Sequence, residues 1–290
     1  MNENQTILGL RAGEFQGLPA LLIDTPHSRC AISLFGAHVL SFVPKGFSDL
    51  LWMSPNNKRP PRPIRGGVPL CWPHFAKQGQ PDTAPQHGSA RTAQWKVSLA
   101  QQQSNGDIEL AFVPADPHYH AMNVVLTLRI GATLSQALTT VNMTQEPFTM
   151  TQAFHTYFRV GDARKIHVSG LAGKKYLSKF DDFAQFTQAG DFRLEAESGM
   201  RSDRIYERVA GDYVLHDPVL ARSIAIRSEG SKTLVVWNPG VEAVKTFTDI
   251  PHDAWPDYFC LEVANAGEEV ISLAPGESTQ ISQTISVDKV

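Results

Sequence analysis

The chain has 290 residues, 42% of them hydrophobic and 19% charged, enough apolar matter for the core of a single domain spanning 1–290. A formal net charge of -3 leaves no basic footprint for nucleic acid or an anionic membrane surface, and no apolar run approaches the roughly 20 residues of a membrane span. Met1-Asn-Glu-Asn-Gln-Thr6 lacks the basic and apolar segments of a secretion signal. The widely spaced Cys30, Cys71 and Cys260 suit reduced core thiols, so a cytoplasmic protein is expected.

In chain order, apolar and β-branched runs predict strands over 31–43, 95–101, 108–113 and 124–144, several alternating with a period of two. Asn105-Gly106 between two of them is a favoured pair for a tight hairpin. Gly131 interrupts the longest run and marks a bulge or a reversal. Further strands are predicted over 148–160, 166–171, 223–226, 233–237, 258–264 and 280–287, with a Pro-Gly turn at Leu273-Ala-Pro-Gly-Glu277. Helical periodicity is scarce, with one short turn at 251–258. Prolines and glycines are spread along the chain without a linker. The expectation is an all-β fold, a large antiparallel sandwich, with the proline-rich segment 55–63 ordered at a site.

Two strands each carry a titratable residue that a pure core strand would not choose: His155 in Phe154-His-Thr-Tyr-Phe158 and Glu262 in Cys260-Leu-Glu-Val263. An imidazole and a carboxylate make a general acid–base pair if the fold brings them together. His155 also reads as a satisfied core histidine, and Glu262 as a solvent-facing residue of an edge strand. Arg65 precedes Gly66-Gly67, and Gln86-His-Gly-Ser-Ala-Arg91 follows shortly after. Glycines beside arginines let backbone approach a ligand while guanidinium forks grip an anion such as phosphate; both arginines read equally as exposed salt-bridge partners. Asp203 reads as a turn residue or as a hydroxyl acceptor. His74 and His87 flank the arginine segment and are candidates for lining it. His118 and His120 share one side of an extended segment but have no third metal ligand nearby, so no metal site is expected. No nucleophile elbow, P-loop or dinucleotide fingerprint is present, which counts against an α/β-hydrolase, an NTPase and a Rossmann enzyme.

Taken in order, Arg65-Gly-Gly-Val-Pro-Leu70, Gln86-His-Gly-Ser-Ala-Arg91, Phe154-His-Thr-Tyr-Phe-Arg159, Ser202-Asp-Arg-Ile-Tyr206, Val235-Val-Trp-Asn-Pro239 and Cys260-Leu-Glu262 resemble the aldose 1-epimerase (mutarotase) superfamily. The resemblance covers roughly residues 30 to 280 and leans to the glucose-6-phosphate 1-epimerase branch. That branch's Arg-Gly-Gly and Gln-His-Gly-x-Ala-Arg elements are here, and the galactose branch's Asn-His-x-His-Gly-Gly element is missing. His74, Ser89 and the valine after Glu262 depart from the pattern.

The resemblance implies a galactose-mutarotase-like β-supersandwich, with His155 as general acid and Glu262 as general base. It also implies that Arg65, Gln86, Arg91 and Asp203 bind a sugar phosphate. The expectation is a monomer that interconverts the anomers of a hexose 6-phosphate and needs no cofactor or metal. A mutarotase for unphosphorylated aldoses and a non-catalytic carbohydrate-binding module are the alternatives.

Overall fold

A computed structural model describes residues 7–209 and 211–290, without the side chain of His120. The opening segment read for a secretion signal, Met1–Thr6, lies outside the described residues. The expected all-β antiparallel architecture holds. Strands β1 (Leu10–Phe15), β2 (Leu18–Asp24), β3 (Ser28–Ser33) and β4 (His38–Pro44) form a four-stranded antiparallel sheet. The predicted run 31–43 is thus two strands, because the chain reverses at 34–37, where Gly36 and Ala37 take positive φ.

After the short β5 (Leu70–Cys71) come β6 (Trp95–Gln102), β7 (Ile108–Pro114), β8 (Met122–Ile130) and β9 (Leu134–Asn142). The run 124–144 splits into β8 and β9 by a reversal that starts at Gly131. The run 148–160 also divides, into β10 (Phe148–Met150) and β11 (Gln152–Arg159). At the break, Thr151 receives the Phe75 N–H on its hydroxyl and donates its own N–H to the Pro73 carbonyl.

The chain continues through β12 (His167–Ser169), β13 (Lys175–Ser178), β14 (Ala184–Thr187), β15 (Ser202–Glu207), β16 (Asp212–Asp217), β17 (Arg222–Glu229) and β18 (Thr233–Asn238). A single helical turn, α1 (Gly240–Ala243), precedes β19 (Tyr258–Asn265), β20 (Ile271–Leu273) and β21 (Ser278–Lys289). The turn expected over 251–258 is a 3-10 turn at Trp255–Asp257.

Two sheets dominate. One has eight strands in the order β12-β16-β17-β21-β9-β8-β7-β6; the other has seven, β14-β13-β15-β18-β19-β11-β5. Phe154 and Phe158 of β11 and Leu261 and Val263 of β19 join Leu126, Leu128 and Leu138 of β8 and β9 in one buried apolar cluster. Thr156 spans the same interface, exchanging hydrogen bonds with the side chain of Gln283, which also donates to Gln136. Where β8 and β9 alternate between buried residues and half-buried or exposed ones, all eight residues of β19 and seven of eight in β11 are buried. A strand covered on one face alternates; a strand covered on both does not. The second cover over β11 and β19 is the wall of a cavity.

Candidate active site

Pairing register builds the floor of that cavity. His155 lies opposite Glu262 between β11 and β19, Glu262 opposite Val235 on β18, Val235 opposite Ile205 on β15, and Ile205 opposite Leu177 on β13. The next row on the same face carries Tyr157, Cys260, Trp237 and Asp203. Period-two alternation therefore turns Phe154 and Phe158 into the core and His155 toward the open side. The cavity encloses about 540 Å³, a size suited to a small-molecule ligand. Its lining includes Arg65, Gln86, His87, Arg91, His155, Lys179, Asp203, Trp237 and Glu262.

His155 Nε2 stands 3.5 Å from Glu262 Oε1, with both side chains at 10% exposure or less. Tyr157 stacks parallel to the His155 ring at 4.8 Å, while Trp237 and His87 meet it edge-on at 6.0 and 5.5 Å. These neighbours fix the ring plane, and the His155 backbone N–H donates to the Pro69 carbonyl at 3.0 Å. Glu262 sits on β19, flanked by β18 and β11, so the solvent-facing edge position is excluded.

Burial pushes the His155 imidazole well below its usual pKa, and His87, Arg65 and Arg91 push the same way. Burial raises the Glu262 carboxyl well above the usual carboxylate range; Asp203 adds to that and Lys179 opposes it. Both directions favour a neutral imidazole beside a protonated carboxyl. That state and the ion pair differ only in where one proton sits. The outer atoms, His155 Nδ1 and Glu262 Oε2, are buried without a hydrogen-bond partner among the described residues. Unmet polar atoms of this kind are costly in a core and ordinary where a ligand binds.

Arg65 enters the site from a loop fixed by segment 55–63, where Asn57 Oδ1 accepts the Arg65 N–H at 2.5 Å. Its guanidinium donates to Asp249 at 3.1 Å and to the Tyr157 hydroxyl at 2.9 Å. Burial weighs against the Arg65 charge, and Tyr157 and Asp249 more than offset it. Gly66 and Gly67 have a different use from the one expected. They allow close approach to protein backbone rather than to a ligand: a Cβ at Gly66 would meet Trp52 O at 2.4 Å, and one at Gly67 would meet Val39 O at 2.3 Å.

Arg91 donates to the Gln86 carbonyl at 2.7 Å and has no carboxylate partner, and its Nε is buried without a partner among the described residues. Burial lowers its pKa, and Arg65 adds to the effect. A half-buried cation in a cavity, with no carboxylate partner among the described residues, has chemistry suited to an anion. The exposed salt-bridge reading therefore fails for Arg91 and holds in part for Arg65.

Asp203 lies within β15 rather than in a turn, and its carboxylate meets Lys179 Nζ at 3.1 Å. His87 lines the cavity. Its Nδ1 accepts the Ala76 N–H at 3.2 Å, which places the proton of the neutral ring on Nε2. His74 does not reach the lining, because its Nδ1 is engaged near the Gln78 carbonyl at 3.2 Å. Ser89 accepts the Tyr119 hydroxyl at 2.7 Å. Cys30, Cys71 and Cys260 are buried and free of disulfides. His118 turns to Asp116 at 2.7 Å, His120 lies outside the described side chains, and among the described residues no three His, Cys, Asp or Glu converge on a metal position.

Sequence reasoning did not single out Lys179, Phe183 or Asp249. Trp237 alternates with Val235 on one strand, a signal that was available. Lys179 and Phe183 sit at the tip of the β13–β14 hairpin, where no periodicity marks them, and Asp249 lies 184 residues from the arginine it meets.

With this geometry in place, comparison decides the family. The family model described as "Aldose 1-epimerase" matches residues 19–286. The chain belongs to the aldose 1-epimerase family. A Salmonella typhimurium protein named "Putative glucose-6-phosphate 1-epimerase" is 30% identical over 287 residues, 95% of this chain and 92% of its own. An Escherichia coli K12 protein of the same name is 30% identical over 279 residues, 94% and 91% of the two chains. The crystal structure of a Salmonella typhimurium protein described as "a putative mutarotase" superposes with a TM-score of 0.88 at 27% identity, covering 99% of this chain and 96% of that one. A galactose mutarotase related enzyme of Lactobacillus acidophilus shares the fold at 12% identity, with a TM-score of 0.69 over 93% and 97% of the chains. The β-supersandwich of galactose mutarotases is therefore the fold of this epimerase-family chain. No helix among its described residues is long and apolar enough to cross a membrane.

Proposed function

We propose that this protein interconverts the α and β anomers of a hexose 6-phosphate, glucose 6-phosphate first among them. The observation that carries the reading is a His155–Glu262 pair at 3.5 Å on the floor of a cavity that also presents the Arg91 guanidinium, which has no carboxylate partner among the described residues.

In the proposed reaction Glu262 takes the proton of the C1 hydroxyl as the C1–O5 bond breaks, and His155 gives its proton to O5. The result is an open-chain aldehyde. Rotation about C1–C2 and reclosure run the two transfers in reverse, from the opposite face of the carbonyl, and return the pair to its starting state. Each well-placed acid or base contributes about 10²–10⁴ in rate. No redox change or covalent intermediate enters the balance.

Arg65, Arg91 and Gln86 hold the phosphate away from C1, so that binding energy orients the reacting end. The phosphate also has an electrostatic role. Arg65 and Arg91 weigh against a charge on His155; a bound dianion offsets them and favours the imidazolium that the transfer to O5 needs. Asp203 accepts a sugar hydroxyl. The names of the 30% identical relatives support the phosphosugar over a plain aldose. A matched acid and base support an enzyme over a sugar-binding module, because binding alone needs neither.

The test is two-dimensional exchange NMR on glucose 6-phosphate, glucose and galactose with the protein added. Acceleration confined to the phosphosugar supports the proposal. Equal acceleration of all three removes the phosphate anchor, and none with any of them removes the enzyme.

A further inference from the structure

Two carboxyl groups share the cavity floor. Asp203 lies opposite Trp237 on β18 and Glu262 lies opposite Val235, two residues along the same strand, so both project from one face of the sheet. Two carboxylates facing one cavity oppose each other's ionisation. A base at Glu262 therefore shares its cavity with a group that works against it, unless something cancels the Asp203 charge.

We infer that Lys179 is a positioning residue for Glu262: its ammonium, anchored on Asp203 at the cavity wall, cancels the like charge facing Glu262 and keeps that carboxyl available as a base. The inference rests on the proposed acid–base reaction for its catalytic meaning, and on geometry for the coupling itself. Lys179 Nζ lies 3.1 Å from Asp203 Oδ2, with the carboxylate at 15% exposure and the lysine at 48%. The lysine belongs to the tip of the β13–β14 hairpin, immediately after Ser178, and lines the cavity together with both carboxyls.

The groups that face Glu262 come from several elements. His155 and Tyr157 stand on β11, Cys260 on β19 itself, Cys71 on β5, Asp203 on β15 and Lys179 on the hairpin. Burial is the strongest influence on Glu262; Asp203 raises it further and Lys179 opposes both. Lys179 is thus the cation of this set, while Arg65 and Arg91 weigh on His155. An ordinary half-exposed lysine–aspartate pair adds little to stability. Here the consequence lies in the charge state of a third residue rather than in the pair's own strength.

The experiment is a carbon-detected NMR titration of the Glu262 carboxyl in ¹³C-glutamate-labelled protein, with the resonance assigned by its loss in Glu262→Gln. Lys179→Met is expected to move the titration upward by on the order of half a pH unit, the scale of one partly exposed charge acting across a cavity wall. Lys179→Arg restores the wild-type midpoint, an outcome that a purely structural role would not produce. Lys179→Gln, which keeps a polar stem of similar length, repeats the shift if the methionine variant folds poorly. Titration of both neutral variants at the wild-type pH overturns the inference. Wild-type anomer exchange is measured separately: its absence sinks the epimerase reading, and the titration alone then decides whether Lys179 controls Glu262.

Discussion

His155 and Glu262 are Cα partners in the pairing of β11 with β19, and their side chains meet with Nε2 and Oε1 3.5 Å apart. More than one hundred residues of chain separate them, yet register alone brings them together. A slip of one residue in either strand would turn one of the pair into the core between the sheets. The continuous burial of both strands specifies that register, because Phe154, Phe158, Leu261 and Val263 have places only on the core side.

The Arg91 guanidinium, without a carboxylate partner among the described residues, leads to the first prediction. Arg91→Ala removes a charge-assisted contact to phosphate, worth about 2 kcal/mol, so KM for glucose 6-phosphate rises roughly 30-fold. Any turnover of plain glucose changes little. Steady-state kinetics on both sugars checks this; an equal loss on both would remove Arg91 from the phosphate site.

Glu262 predicts a pH-dependent stability difference. Its folded pKa lies well above the ordinary carboxylate value, chiefly through burial, so between those two values the folded state binds more protons than the unfolded chain. Wild-type stability therefore carries a term that falls as pH rises from about 4.5 through the folded pKa. Glu262→Gln lacks that term. Its Tm relative to wild type is expected to rise from pH 5 to pH 8, which thermal melts at several pH values would show; a constant difference would contradict it.

Gly67 supports Arg65 indirectly. At φ +61° an added Cβ would lie 2.3 Å from Val39 O, a clash with backbone that cannot move aside cheaply. Gly67→Ala should cost about 2 kcal/mol and lower Tm by several degrees. The same variant should raise KM for the phosphosugar, because the turn that presents Arg65 is displaced. Normal stability and normal KM together would show that the turn tolerates a side chain.

Much of this was legible before the fold was seen. A charged residue within an apolar run stands out, which is why His155 and Glu262 were readable, and alternation together with turn residues pointed to an all-β chain. Other features were hidden for physical reasons. β15, with Asp203, Arg204 and Glu207 among its six residues, reads as polar because Asp203 faces the cavity while Arg204, on the other face, reaches Gln188 and Glu195. The reversal between β3 and β4 was lost in a run of apolar residues that is buried almost throughout. The partnerships of Lys179 with Asp203 and of Arg65 with Asp249 join distant segments, and no local pattern encodes them. The glycines after Arg65 were rightly marked, but the close approach they permit is to Trp52 and Val39 rather than to a ligand.

The most direct measurement is anomer exchange of glucose 6-phosphate by wild type, His155→Ala and Glu262→Gln, each shown to be folded by circular dichroism. Loss of the acid or the base should lower the catalysed rate by about 10²–10⁴, toward the rate in buffer alone. A near-normal rate in either folded variant would contradict acid–base catalysis by this pair.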